Sequence, residues 1–107
     1  MIVVTTPDIP GMRIVATLGL VRGNTIRARH IGRDVMAGLR NIAGGEIREY
    51  TKMMAEAREQ SIDRMVEEAE SLGADAVVMV RFQTAEMMRG AAEMMAYGTA
   101  VRLEHIP

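Results

Sequence analysis

The chain has no cysteine and no tryptophan, and its 107 residues include only three aromatics (Tyr50, Phe82, Tyr97) and two histidines. Lacking cysteine, it cannot form disulfides, thiolate zinc sites, iron–sulfur clusters or cysteine nucleophiles. His30 and His105 each lack a partner at metal-ligand spacing and read as surface residues. No apolar run approaches the ~20 residues of a membrane span, and no basic–apolar–small segment opens the chain. The expectation is a cytoplasmic protein with no membrane partner. Net charge is -1 and stacking aromatics are scarce, which argues against a nucleic-acid partner. What the chain does have is 49% hydrophobic residues and eleven methionines. That is enough apolar content for one folded unit, read as a single domain over residues 1–107.

Charge is unevenly spread. Residues 1–45 carry +4, residues 46–72 carry -4 and residues 73–107 carry -1. Twelve of the thirteen bases are arginine, whose planar fork suits fixed ion pairs. The basic first third is therefore expected to meet the acidic middle, within or between subunits.

Hydrophobic spacing assigns the elements. Met1–Thr6 is a short β-branched run ended by Pro7 and the Pro10-Gly11 turn. Arg13–Val21 reads as a strand uncharged on both faces after Arg13, with Gly19 marking a bulge or a close backbone approach. Arg22-Gly23-Asn24 reads as a turn. Ile31, Val35, Leu39 and Ile42 form one helical stripe, giving a short helix over 31–42 that Gly44-Gly45 would stop. The strongest signal is Glu46–Leu72, free of glycine and proline. Its stripe of Ile47, Tyr50, Met54, Ala57, Ser61, Met65, Ala69 and Leu72 has a period near 3.6, and Lys52/Glu56 and Arg64/Glu68 are i, i+4 pairs. Gly73 follows as the residue that ends the helix. Ala74–Thr84 and Met94–Leu103 read as strands, and Thr84–Glu93 as a loop or frayed hairpin tip.

A helix of 27 residues is about 40 Å long, whereas strands of eight or nine residues reach about 30 Å. One small sheet would leave apolar helix surface uncovered. A symmetric homo-oligomer is the expected remedy.

The spacing of several motifs resembles the YbjQ-like family of small prokaryotic proteins, often labelled heavy-metal-binding. The resemblance rests on Thr5-Thr6-Pro7, Gly19-Leu20-Val21-Arg22-Gly23, Arg33-Asp34, Gly44-Gly45 and Tyr50. Leu72-Gly73-Ala74-Asp75-Ala76-Val77-Val78 and Gly98-Thr99-Ala100-Val101 complete it. It implies an α+β subunit in which a curved antiparallel sheet wraps one long helix, with one short helix, in a dodecin-like arrangement of order β-β-α-α-β-β. It also implies a ring-shaped homopentamer. The family's biochemical role is not established, so no mechanism comes with the resemblance. Gly44, Gly45, Tyr50, Met54, Met65, Gly73, Asp75, Gly98 and Thr99 are the candidate structural and interface residues.

The metal label meets no HxxxH, no thiolate and no Asp-x-Asp loop in this chain. Thioethers remain. Met87, Met88, Met94 and Met95 flank the hairpin tip, and soft thioethers select Cu(I); as flexible gap-fillers, methionines also serve a core poor in aromatics. No nucleophile is spaced to a base, and Asp34 and Asp75 are the only acids at distinctive positions. The chain therefore reads as a non-enzymatic binding or scaffold module with no cofactor, its partner a copy of itself. The alternative is a carrier of a metal ion or small anion, with sites formed between subunits.

Overall fold

The computed structural model describes residues 1–28, 44–88 and 91–107. Strands β1 (Ile2–Val3) and β2 (Met12–Ala28) precede helix α1 (Gly44–Ser71), and strands β3 (Ala76–Met88) and β4 (Ala91–His105) follow it. The expected short helix at 31–42 lies outside the described residues. The four strands form one sheet in the order β1-β3-β4-β2. The class is α+β, with one correction: the sheet is mixed, because β1 pairs parallel to β3 while β4 pairs antiparallel to both β3 and β2. A short apolar run at the start of the chain carries no mark of which distant strand it will join, or in which direction.

The strands are longer than their sequence signals. Arg22-Gly23-Asn24 is not a turn: β2 runs through it for 17 residues. The inward alternation Val21, Gly23, Thr25 continues unbroken opposite Gly98, Ala96 and Met94. Of the two readings of Thr84–Glu93, the described part bears out the hairpin and not the loop, since β3 extends to Met88 and β4 starts at Ala91, paired antiparallel. The relative lengths of helix and strand are therefore the reverse of those expected. At ~3.3 Å per residue β2 spans about 56 Å, against about 42 Å for α1, so the sheet outruns the helix.

Two apolar clusters hold the layers together. On one face of the sheet, Val21, Val77, Val80, Ala96 and Ala100 pack with Met65 and Ala69 of α1. On the other face, Ala76, Val78 and Val101 are covered by Val4, Ile9, Ile14 and Leu103. The N-terminal segment thus crosses one end of the second face. The predicted helix stripe is accurate in its middle: Ala57, Ser61, Met65 and Ala69 are fully buried. Leu72, assigned to the same stripe, is 44% exposed. The chain leaves helical geometry there, with Gly73 at φ 78°. The amides of Gly73 and Ala74 bond back to the carbonyls of Glu70 and Ala69 at 3.0 and 3.1 Å, a Schellman closure.

Neither predicted i, i+4 pair on α1 forms. Arg64 turns instead to the Asn24 carbonyl of β2, and Lys52 and Glu56 stay solvated. Among the described residues the one ion pair is Arg13–Glu104 at 3.1 Å, with both side chains more than half exposed. A pair so exposed contributes about 0–1 kcal/mol.

Candidate functional site

The structure places the singled-out residues in three places. The first is the seat of α1 on β2. Gly23 lies directly under the helix. A side chain there would run into the Ser61 carbonyl oxygen and sit 2.5 Å from Met65 N and 2.8 Å from Arg64 Cβ. Beside it the buried Ser61 hydroxyl lies 2.8 Å from the Ala57 carbonyl, 3.0 Å from the Met94 carbonyl and 3.0 Å from Thr25 Oγ1. It can donate to one carbonyl and accept from Thr25, so both buried hydroxyls are satisfied. Arg27 extends the same seam by donating to Gln60 at 2.8 Å. Sequence reasoning missed Gly23 and Thr25 as contact residues. The signal was the period-2 alternation continuing from Val21, which the turn-forming Gly-Asn pair masked.

The second place is the joint after α1. Asp75 Oδ2 accepts from the Leu103 amide at 2.8 Å. Its own amide donates to the Val101 carbonyl at 2.9 Å, and its carbonyl accepts from Ile2 at 3.4 Å. One aspartate thus joins the start of β3 to β4 and to the N-terminal strand. Asp75→Ala is expected to lower stability by about 1–2 kcal/mol, the cost of leaving one strand amide without its charged acceptor. Urea unfolding should show a lower midpoint with an unchanged slope. Nearby, Gly98 abuts β3: an added Cβ would lie 2.7 Å from Val77 Cγ1 and 2.9 Å from the Val78 carbonyl. Its neighbour Thr99 lies between Leu20 and Val78 on the other face. Opposite Gly98 the β3 ladder shifts between Val78 and Arg81. Met79 there adopts a left-handed φ of 55° and donates to Thr6 at 3.1 Å.

The third place is the second face of the sheet beyond the N-terminal cover. Register sets Arg22, Tyr97 and Arg81 in one row across β2, β4 and β3. The next row toward the hairpin tip is Asn24, Met95 and Gln83. Arg81 donates to the carbonyls of Thr5 and Val80 at 3.0 and 2.8 Å. Neither row contains a carboxylate. Glu56, Glu59, Asp63, Glu67 and Glu70, all exposed, line the solvent side of α1.

Of the methionine candidates, Met94 and Met95 have described side chains, and these two point to opposite faces of the sheet. Met94 is buried toward the helix, where its sulfur accepts from Thr84 Oγ1 at 3.3 Å. Met95 is half-buried on the opposite face, because successive strand residues alternate. Met87 and Met88 belong to the end of β3; only their backbone is described, as is that of Gly44, Gly45 and Tyr50 in the first turns of α1. Gly44 and Gly45 thus begin the long helix. Met65 is a core residue, Met54 is half-buried and His105 is exposed at the end of β4. Among the described residues no three His, Asp or Glu side chains gather closely enough to hold a metal ion. No described helix is long and apolar enough to cross a membrane.

Comparison with known proteins gives a consistent picture. The YbjQ family model, described as "putative heavy-metal-binding", matches residues 1–104. A UPF0145 protein of Methanosarcina acetivorans is 59% identical over 103 residues, covering 96% of this chain and 97% of that one. One from Pyrococcus horikoshii is 57% identical over 105 residues, covering 98% and 90%. A crystal structure from Pediococcus pentosaceus, a protein of unknown function in the DUF74 family, superposes with a TM-score of 0.66. It covers 97% of this chain and 98% of its own at 16% identity, a likeness of fold alone.

Proposed function

The chain belongs to the YbjQ family, and from that footing we propose that it works as a non-enzymatic binding or scaffold module, assembled in the cytoplasm as a ring of about five identical subunits with dodecin-like packing. The observation that carries the reading is shape. The subunit measures 60 × 21 × 15 Å with a radius of gyration of 17.7 Å. A self-sufficient globule of this length has a radius of gyration of about 13 Å. The Cα trace is only 15 Å across its thinnest direction, and beyond its buried core large apolar side chains stay on the surface. Leu20 and Ile26 are 63% and 58% exposed, and Phe82 is 43% exposed. Copies of the same chain would cover such surface and account for Met54 and Thr99 being only half-buried. Sedimentation velocity at micromolar concentration should give one species several times heavier than the 11.8 kDa chain. A single 11.8 kDa species would overturn the reading.

A second reading is a carrier whose site completes between subunits. The Arg22–Tyr97–Arg81 row favours a small anion over a metal ion, since it offers guanidinium donors and no carboxylate. Thermal shifts with phosphate and sulfate, set against Cu(I) and zinc, test it. Stabilisation by an oxyanion that is lost in Arg22→Ala supports it, and no shift with any of these ions counts against it.

A further inference from the structure

The sheet ends in two strand edges without a partner among the described residues. β2 forms one border of the sheet along all 17 of its residues. β3 forms part of the other border. There β1 pairs only with Ala76 and Val77, and the backbone bonds of the segment after it go no further than Val80, so among the described residues no strand lies beside Arg81–Met88. A row of unpaired backbone donors and acceptors is a template for another strand, and proteins that stay monomeric blunt such edges. Neither edge contains proline and neither is short.

We propose that these two edges are each other's partners: the β2 edge of one copy pairs with the Arg81–Met88 edge of the next, so that the sheet continues from subunit to subunit around the ring. This deepens the homo-oligomer reading and rests on it. Strand direction follows from the topology. β2 and β3 both run antiparallel to β4, hence parallel to each other. Rotation about an axis along the strands preserves direction, so the contact between copies is a parallel ladder. Two observations favour this over β2 meeting its own copy. First, β2 carries Arg13, Arg22 and Arg27 and no acid, so β2 against β2 sets like charges side by side. The β3 edge carries Arg81 and Glu86, which balance. Second, Phe82 lies opposite Ala96, on the helix side of the sheet. It is exposed there because α1 covers β2 and β4 and barely reaches β3. If β2 of the next copy lies beside β3, that copy's helix comes with it and covers Phe82. Pairing β2 with β2 would leave Phe82 and the β3 edge bare.

The chain has no cysteine, so disulfide mapping is unambiguous. Leu20→Cys or Ile26→Cys on β2 is combined with Gln83→Cys or Ala85→Cys on β3; all four sites are exposed and belong to the same sheet face. Cα atoms on adjacent strands lie within the roughly 4.4–6.8 Å a disulfide needs. At least one double variant should give a reducible ladder of covalent multimers ending at the full ring. Each single variant should stay a monomer on a denaturing gel. Covalent dimers from Leu20→Cys or Ile26→Cys alone would overturn the proposal in favour of β2 pairing with β2. An assembled native mass with no ladder from any of the four pairs would overturn the edge pairing and leave the ring standing. A native mass of one subunit would overturn both.

Discussion

Replacing Gly23 with alanine is expected to destabilise the subunit more than any other single methyl addition. The new methyl meets the helix backbone, at Ser61 O and Met65 N, and cannot be relieved by a side-chain rotation. Overpacking a core ordinarily costs about 1–3 kcal/mol. A backbone obstacle puts Gly23→Ala at the upper end, about 3 kcal/mol, or about 15 °C in melting temperature for a domain of this size. Gly19→Ala is the matched comparison. Nothing lies within 4 Å of its added Cβ, but the backbone sits at φ 122°, so it suffers conformational strain without a clash. Thermal unfolding followed by circular dichroism should show the larger loss in Gly23→Ala. An unchanged melting temperature there would mean that α1 is not seated on β2. Pushed off Gly23, the helix also loses the buried Ser61–Thr25 contact.

Phe82→Glu is expected to act on assembly instead. Phe82 belongs to neither apolar cluster, so its loss creates no cavity in the subunit. Burying its ring against a neighbouring copy would contribute about 1.5–3 kcal/mol, and a carboxylate in its place adds a desolvation cost. At each interface that is a loss of about tenfold to a few hundredfold in affinity, repeated around the ring. Light scattering at 10 μM should show the variant shifted toward monomer, with the far-ultraviolet spectrum of the folded subunit retained. An oligomer as tight as the parent would show that the helix side of β3 is not an interface.

The helix was the most legible element, because 28 residues with a 3.6 period leave little room for another reading. Ala57, Ser61, Met65 and Ala69 fall where the spacing puts them. Strand ends were harder to read. Turn-forming residues at Arg22-Gly23-Asn24 resemble a chain reversal, yet Gly23 is there to admit a helix backbone. Whether a glycine makes a turn or a close approach depends on what lies across from it, which a local pattern does not carry. The same holds for β1, whose parallel partner is more than seventy residues away. The candidate site was legible only in part. Asp75 stood out by its position at the helix–strand joint, but its bond to the Leu103 amide is a tertiary contact. The methionine pair Met94-Met95 looked like a paired donor until strand alternation sent its members to opposite faces. The Arg22–Tyr97–Arg81 row comes from three strands distant in sequence and appears only when register aligns them.

On the function proposed here, this chain is one subunit of a closed ring. Native mass spectrometry of the purified protein at micromolar concentration tests it most directly. Five subunits of 11.8 kDa predict a single species of about 59 kDa. A lone 11.8 kDa species under the same conditions would contradict the account.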